Sequence, residues 1–331
     1  MSAAKPTRCR ALAFTSVIAV ATLVLASCGS SMESESQAGS DTGDTIAAAP
    51  PSTSVTDGRP RTITTFVEPF VDTSRPTQPS TDGAPASEVR ALPTTVYLPS
   101  GTGRGPLVVF SHGLGGSPEK FTRLHTAWAE AGYVVAAPSF PLTNDSNPNR
   151  NSEAADLVNQ PADVSYVLDQ LLAADEDPAS PLFARIDTDH LGAAGLSLGG
   201  ATTYGVIFND CCADQRFSAA MVMAGAALIA TPSDYTRSIP TLVFHGDADP
   251  VLRYELGRGA WELLPGPTWL ITLPGAPHSQ PFENTVTEWD ELVFATSTAF
   301  WDATLGADDT ALQRMTDQVA TAPDLAVIES R

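Results

Sequence analysis

Short apolar segments alternate with amphipathic segments along most of the chain after residue 90, and this alternation limits the possible folds more than any other feature. Each apolar run holds four or five residues without helical periodicity, as buried strands do. The segments between them repeat their apolar residues every three or four positions, as helices do. Strands that alternate with helices pair in parallel, because each helix carries the chain back across the sheet. The sequence therefore predicts an α/β fold with a mostly parallel central sheet and helices on both faces.

The predicted elements follow one another within a single domain. The expected strands are 94–98, 107–110, 133–137, 190–194, 219–223, 241–244 and 269–273. The expected helices are 121–128, a long segment opened by Pro161, a segment starting near Gly200, 254–264 and 289–301. In the tail after Leu305, an amphipathic stretch aligns Leu312, Met315 and Val319, and we expect it to pack on the surface.

Residues 195–199 are Gly-Leu-Ser-Leu-Gly, and this is the only G-x-S-x-G in the chain. The pentapeptide follows the predicted strand 190–194 and opens a helix whose first residues are small. A serine in such a strand-to-helix turn is held in a strained conformation, and flanking glycines remove side chains that would collide with nearby backbone. The spacing predicts that Ser197 is a nucleophile.

A serine hydroxyl needs a base to take its proton, and the base needs an acid to orient it. Asp247 and Asp249 directly follow the predicted strand 241–244, and His278 follows the strand 269–273. The carboxyl ends of parallel strands lie at one edge of a sheet, so these loops are expected to meet Ser197. The spacing alone leaves both aspartates open as the acid.

The order serine, aspartate, histidine resembles that of the α/β-hydrolases. In particular, the chain resembles hydrolases of the platelet-activating-factor acetylhydrolase and dienelactone hydrolase type, a group that is also similar to bacterial polyester hydrolases. The likeness extends from about residue 63 to 301 and is carried by 71–76 (Val-Asp-Thr-Ser-Arg-Pro), 111–116 (Ser-His-Gly-Leu-Gly-Gly), 132–138, 160–164 and the serine pentapeptide.

The resemblance assigns roles to individual residues. It favours Asp249 over Asp247 as the acid, because 246–251 resembles the acid loop of dienelactone-hydrolase-like members, and Asp247 then caps a turn. The backbone N–H of Leu198 is one expected donor to the oxyanion. The other is the N–H of Leu114, in a turn that resembles the H-G-x-G-G turn of esterases and lipases. No zinc-type cluster of ligands occurs in the sequence, so we expect chemistry without a metal or cofactor.

Other polar residues have simpler expected roles. His112 and His245 precede glycines at strand ends and are expected to hold their loops by hydrogen bonds, whereas His125 and His190 are expected to lie at the surface or to be satisfied by partners. Cys211 and Cys212 are adjacent, and the sequence leaves open a ring between them, two free thiols or a bridge between two molecules.

The first 28 residues indicate export. Lys5, Arg8 and Arg10 precede an apolar stretch, 11–26, which is shorter than the roughly 20 residues that span a bilayer as a helix. Residues 25–28 (Leu-Ala-Ser-Cys) resemble the lipobox of bacterial lipoprotein signal peptides. This resemblance implies a signal peptide at 1–27 and a lipidated Cys28 that anchors the protein to the outer face of the bacterial cell membrane.

A flexible Ser/Thr/Pro/Ala-rich tether is predicted at 28–60, because 29–58 consists mainly of small and polar residues, has no aromatic residue and cannot build a core. The hydrolase domain is then expected at 61–331. The whole chain has 18 Lys and Arg against 38 Asp and Glu, a net charge of −20. A surface this acidic repels phosphate backbones, so nucleic acid is not an expected partner.

The resemblance implies a serine hydrolase that cleaves carboxylic esters through an acyl-enzyme. Short or medium acyl esters, lipid-derived or polyester-like, are the expected substrates, since Leu114, Leu196 and Leu198 suggest an apolar mouth. The segment between the strands 219–223 and 241–244 is too short for a helical lid. Two alternatives remain open: an acyltransferase of the same mechanism, and a non-catalytic surface lipoprotein that binds a partner in a hydrolase-like cleft.

Overall fold

A computed structural model describes residues 61–78, 87–148, 150–151 and 153–331. Within them, one nine-stranded sheet forms the centre of the molecule. Its strands are β1 (Ile63–Asp72), β2 (Arg90–Pro99), β3 (Gly105–Ser111), β4 (Val134–Pro138), β5 (Ile186–Leu196), β6 (Ala219–Met223), β7 (Thr241–Gly246), β8 (Thr268–Leu273) and β9 (Val327–Ser330).

Helices occupy most of the connections between the parallel strands. They are α1 (Thr122–Ala131), α2 (Gln160–Glu176), α3 (Leu198–Phe208), α4 (Tyr254–Leu263), α5 (Asp290–Thr304) and α6 (Ala311–Ala320). Short 3-10 helices lie at Pro118–Phe121, Ala154–Asn159 and Pro232–Asp234. The structure describes every residue between β6 and β7, and Pro232–Asp234 is the only helical segment there.

The sheet has the strand order β1-β2-β4-β3-β5-β6-β7-β8-β9. The six strands β3 to β8 are parallel to one another. At the two edges of the sheet, β2 and β9 pair antiparallel with this set, and β1 pairs antiparallel with β2. The carboxyl ends of the parallel strands therefore share one edge of the sheet. The predicted α/β-hydrolase fold, with its mostly parallel sheet, is confirmed.

Two apolar cores lie on the two faces of the sheet. Trp128 of α1, Trp301 of α5 and Met315 of α6 pack in one core, and Leu168 of α2 and Tyr204 of α3 pack in the other. Strands β3, β6 and β7 are buried along their whole length, because helices cover both of their faces. The tail helix α6 was expected to pack on the surface; its Met315 and Val319 belong to the first core.

The sequence prediction missed two strands, both at edges. In β1, apolar and polar residues alternate because only one face is covered: Phe66 and Phe70 pack against the core, while Val67 and Val71 are exposed. In the segment 71–76, which the sequence pattern placed before the first paired strands, residues 71–72 instead end β1 and pair with β2. Strand β9 has only four residues, too few for a periodic signal.

A buried ionic network joins the outer strands to the region beside β5. The side chain of Arg90, at the start of β2, is 1% exposed and donates to the carboxylates of Asp156 (3.1 and 2.9 Å) and Asp163 (2.8 and 2.6 Å). Arg75 contacts Asp163 from the other side at 2.7 Å. Asp156 lies in the 3-10 helix Ala154–Asn159 and Asp163 in the first turn of α2. Because buried charges are costly when unpaired, these pairs hold both segments against β2.

Cys211 and Cys212, in the turn after α3, are joined by a disulfide bond. Of the three arrangements that the sequence left open, the structure thus has the ring between neighbours. The turn is fastened by Asn209, whose side chain accepts from the N–H of Cys211 and donates to the carbonyl of Ile229.

The predictions for the signal peptide at 1–27, the lipidated Cys28 and the tether at 28–60 concern residues outside the described ranges. In the part of the chain that the structure describes, no helix is both long and apolar enough to span a bilayer.

The expectation that His125 is exposed or satisfied is wrong. The residue is fully buried on α1, where its ring contacts Tyr97, Phe110, Phe121 and Trp128. Neither of its ring nitrogens has a hydrogen-bond partner within the described residues. Burial lowers the pKa of His125 to about 3, because a charged imidazole loses its hydration there.

We predict that His125→Phe makes the protein less sensitive to acid. Below about pH 6.5 the unfolded state binds a proton on His125 that the folded state rejects until about pH 3, so unfolding becomes easier as the pH falls. At one pKa unit per about 1.4 kcal/mol, removing the imidazole should reduce the loss of unfolding free energy between pH 7 and pH 4.5 by about 2 to 3 kcal/mol.

Urea unfolding of both proteins at the two pH values measures this difference. His112, whose pKa burial lowers to about 4, is present in both proteins and cancels in the comparison. An equal loss of stability in wild type and variant would show that His125 is protonated in the folded state.

Candidate active site

Ser197 lies in the turn between β5 and α3, with φ 57° and ψ −115°. A positive φ is strained for a residue with a side chain, so neighbouring structure must hold it. The N–H of Ser197 donates to the carbonyl of Met223 at the end of β6, at 2.9 Å. The serine is only partly buried, and its hydroxyl is directed above the carboxyl edge of the sheet toward the loop after β8.

The two glycines of the pentapeptide are required by close backbone contact. A Cβ on Gly195 would lie 2.2 Å from the carbonyl oxygen of Gly199, and a Cβ on Gly199 would lie 2.0 Å from the carbonyl oxygen of Ser111. Real Cβ atoms do not approach backbone oxygens so closely. The start of α3 therefore packs directly on the ends of β3 and β5, and this contact fixes the position of Ser197.

His278 and Asp249 complete a chain of hydrogen bonds that begins at Ser197. The Nε2 atom of His278 lies 2.8 Å from the Oγ of Ser197, and its Nδ1 lies 2.6 Å from the Oδ2 of Asp249. Asp249 follows β7 and has a fully buried side chain, and His278 follows β8 with a side chain 13% exposed. The structure thus brings together the three residues that the sequence selected, although they lie up to 81 positions apart.

The structure also separates the roles of the two candidate aspartates. Asp249 contacts His278, and its other oxygen, Oδ1, accepts from the N–H groups of Val251 and Leu252 at 2.8 and 2.9 Å. The Oδ1 of Asp247 instead accepts from the N–H of Gly275 at 2.7 Å. Asp247 thereby ties the loop after β7 to the loop that carries His278.

The turn after β3 passes directly over the serine. A Cβ on Gly113 would lie 3.2 Å from the Cβ of Ser197 and 3.8 Å from its Oγ. The next residue is Leu114, whose N–H has no hydrogen-bond acceptor among the described residues. The N–H of Leu198 is the first of α3 and so has no partner within the helix. Both predicted oxyanion donors are therefore free backbone groups beside Ser197.

Three contacts support this turn. The N–H of Gly115 donates to the carbonyl of Thr143 at 2.7 Å, and the side chain of Lys120 donates to the carbonyl of Gly115 at 2.7 Å. The side chain of Arg150 lies on the other side of Gly115, where a Cβ would meet its Nε at 2.5 Å. The turn is held in shape without using the N–H of Leu114.

His112 and His245 make the loop contacts expected of them. The Nδ1 of His112 lies 2.7 Å from the carbonyl oxygen of Gly113, and its Nε2 accepts from the N–H of Phe140 at 3.1 Å. The Nε2 of His245 lies 2.8 Å from the carbonyl oxygen of Leu252. His190, expected at a strand start, lies within β5, with its side chain 41% exposed and 2.8 Å from Asp187.

A small apolar cluster begins at the residue that follows Ser197. Leu157, Leu198 and Ala201 form a small buried cluster, and Ile229 packs against it. Leu114 is 37% exposed at the mouth. The expectation that Leu196 also lines the mouth is wrong: as the last residue of β5 it points into the core with α1 and α5. The contribution of Leu157 and Ile229 was missed, because they lie in irregular segments far from the motif.

We predict that Gly199→Ala disrupts the site. The added methyl group would lie 2.0 Å from the carbonyl oxygen of Ser111, so α3 must move away from β3 and carry Ser197 out of line with His278. The expected result is a loss of about 100-fold or more in the reactivity of Ser197 toward a serine-directed fluorophosphonate, since displacements of about 1 Å have effects on this scale. Gly259→Ala, a helical glycine with nothing within 4 Å of its Cβ position, is the matched control and should keep full activity. Normal activity in Gly199→Ala would contradict the close contact.

Residues 92–142 match the family described as platelet-activating factor acetylhydrolase, isoform II. The matched stretch covers β2, β3, the turn that carries Leu114, α1 and β4. No curated protein matches the chain. The chain thus has the α/β-hydrolase fold and is similar over residues 92–142 to the platelet-activating factor acetylhydrolase family, and this likeness supports the hydrolysis of esters as its general activity.

Proposed function

We propose that the chain is a serine hydrolase that cleaves carboxylic esters through a covalent acyl-enzyme. One observation carries this proposal: an unbroken line of hydrogen bonds runs from Asp249 through His278 to Ser197, at 2.6 and 2.8 Å. The serine lies at an accessible edge of the sheet, and the N–H groups of Leu198, which follows it, and of Leu114, which follows Gly113 above it, have no acceptor among the described residues. A nucleophile, a base, an orienting acid and oxyanion donors in this arrangement suit acyl transfer.

In the proposed reaction, the Oγ of Ser197 attacks the ester carbonyl while the Nε2 of His278 takes the hydroxyl proton. The carbonyl oxygen becomes negatively charged and accepts hydrogen bonds from the two leucine N–H groups. His278 then protonates the departing alcohol, and the acyl group stays on Ser197. Water, activated by the same imidazole, releases the acid and restores the serine. Asp249 holds the imidazole with Nε2 toward Ser197 throughout.

Short or medium acyl esters, lipid-derived or polyester-like, are the proposed substrates. The cluster of Leu157, Leu198, Ala201 and Ile229 gives the site an apolar wall suited to an acyl chain. Between β6 and β7 the chain has only the 3-10 helix Pro232–Asp234, so no helical lid from this segment covers the serine. An open site with an apolar wall admits esters with a bulky alcohol side, since that side can remain in solvent.

We predict that a fluorophosphonate probe labels the protein once, at Ser197. Labelling should be lost in Ser197→Ala, and hydrolysis of p-nitrophenyl esters should fall at least ~10³-fold in both Ser197→Ala and His278→Ala, because members of a triad act as a unit. Intact-protein mass spectrometry and an acyl-chain-length series from acetate to octanoate measure the two effects.

Asp247→Asn provides the matched control for the acid. This substitution removes a carboxylate from the same loop, but that carboxylate does not contact His278. The Asp247→Asn variant should therefore retain far more activity than Asp249→Asn. Absence of both labelling and hydrolysis in the wild-type protein would favour a non-catalytic protein that uses the cleft for binding.

The protein is further proposed to act while anchored by a lipid on Cys28 at the outer face of the bacterial membrane. The support is the sequence of residues 1–28, with its basic start, apolar stretch and small residues before the cysteine. Two acyl chains would make such an anchor stable, whereas one chain binds only marginally.

We predict that the mature protein, expressed in a bacterium, enters the detergent phase in Triton X-114 partitioning and carries a lipid mass at Cys28. Cys28→Ala should instead enter the aqueous phase. Cys9→Ala is the control, because Cys9 lies in the segment that would be removed, and its partitioning should not change. An unmodified Cys28 in a wild-type protein found in the aqueous phase would refute the anchor.

A further inference from the structure

The carboxylate of Asp249 contacts two imidazole rings, of which the proposed mechanism uses only one. Its Oδ2 lies 2.6 Å from the Nδ1 of His278 and 3.3 Å from the Nε2 of His245. Its Oδ1 is occupied by the N–H groups of Val251 and Leu252. The side chains of Asp249 and His245 are both fully buried, so no solvent separates the two rings from the carboxylate.

The surroundings of His245 decide which of its nitrogens carries the hydrogen. Nε2 faces two acceptors, the carbonyl oxygen of Leu252 at 2.8 Å and the Oδ2 of Asp249 at 3.3 Å. It must therefore be the protonated nitrogen, which shares its hydrogen between them. Nδ1 is buried without a hydrogen-bond partner among the described residues.

A second proton on His245 would have no acceptor. Nδ1 faces α4 at Gly257, where a Cβ would lie 2.0 Å from it. The titratable groups around the ring are Asp249 and His278 on the loop side and Tyr254 of α4, whose ring lies edge-on at 5.8 Å. Burial lowers the pKa of His245, and the nearby Asp249 only partly opposes this effect. The ring is thus a neutral donor.

The glycine at position 257 indicates that this contact is built into the fold. Gly257 lies within α4, where glycine costs roughly 1 kcal/mol relative to alanine. Any side chain there would overlap the imidazole of His245. Helix α4 thus has a helix-destabilising glycine at the position where its backbone packs directly on the imidazole of His245.

We propose that His245 is a positioning residue for the triad, which donates its Nε2–H to Asp249 and so fixes the carboxylate and moderates the basicity of His278. This inference rests on the proposed function. The shared oxygen, Oδ2, is the one that receives the Nδ1–H of His278, so the second donor restricts its rotation. The same donor withdraws negative charge from the carboxylate that stabilises the charged form of His278.

Removing the donor should have two effects with predictable signs. The N–H groups of Val251 and Leu252 still hold the carboxylate near His278, but its Oδ2 is less firmly fixed, so the imidazole is aligned less well with Ser197 and kcat falls. The remaining charge on Oδ2 acts on His278 alone, so its protonated form is favoured and the acidic limb of the pH profile of kcat/KM moves to higher pH. That limb reports the protonation of the base in the free enzyme. A role confined to holding the loop through Leu252 would lower kcat but would not move the acidic limb upward.

The test compares His245→Gln with His245→Met. The amide of glutamine can place an N–H near the position of Nε2, whereas methionine has the same length and no donor. We expect the Met variant to lose about tenfold in kcat and to shift the acidic limb upward by about 0.5 pH units, and the Gln variant to recover most of both. His125→Met removes another buried imidazole, whose recorded ring contacts include no triad residue, and should leave the limb unchanged.

A measurement on the wild-type protein covers the case in which a variant does not fold. Histidine ¹⁵N NMR should show the Nε2–H tautomer for His245 at every pH at which His278 titrates. A protonated Nδ1 on His245, or a titration of His245 together with His278, would overturn the proposal. So would an unshifted acidic limb in a folded Met variant, whatever its kcat.

These outcomes are distinct from a failure of the proposed function. If the wild-type protein hydrolyses esters and is labelled at Ser197 while the Met variant behaves like wild type, only the role of His245 is lost. If the wild-type protein neither reacts with the probe nor hydrolyses esters, the function fails, and the tautomer of His245 still tests the geometry on its own.

Discussion

Direct backbone contact at the start of α3 is the constraint on which the rest of the site depends. The chain passes so close to itself at Gly195, Gly199 and Ser111 that no side chain fits between the segments. Because β3, β5 and α3 meet there, the serine and the turn above it are placed by the same contact. The positive φ of Ser197 is held by this packing and by the carbonyl of Met223, rather than by the residue's own preference.

The parallel sheet supplies the remaining geometry. Strands β5, β7 and β8 end at one edge, so loops that are far apart in the chain place Ser197, Asp249 and His278 side by side. Each loop is fastened by polar contacts of its own. The aspartate loop is closed by His245 and by N–H groups that bind Asp249, and Asp247 joins it to the histidine loop. The alignment of the three residues thus depends on buried hydrogen bonds, which are costly to leave unmade.

The sequence predicted the central sheet and the three side chains well, because buried parallel strands leave continuous apolar runs and the serine turn between β5 and α3 has the G-x-S-x-G signature. It missed β1 and β9, since edge strands are short or covered on one face only. It misjudged His125 and Leu196 because burial is decided by packing between distant elements. The contact between His245 and Asp249 could not be predicted either, because a spacing of four residues does not show that one carboxylate oxygen contacts two imidazole rings.

Arg90 connects the outer strands β1 and β2 to the surroundings of Ser197, although these strands do not contribute a residue to the triad. Through Asp156 it fixes the 3-10 helix Ala154–Asn159, and Leu157 of that helix forms the apolar wall with Leu198. None of the hydrogen bonds among Ser197, His278 and Asp249 passes through this route. The apolar cluster beside Ser197 and the hydrogen-bonded line from Asp249 to Ser197 therefore rest on separate supports, so that selection or engineering can reshape one while leaving the other intact.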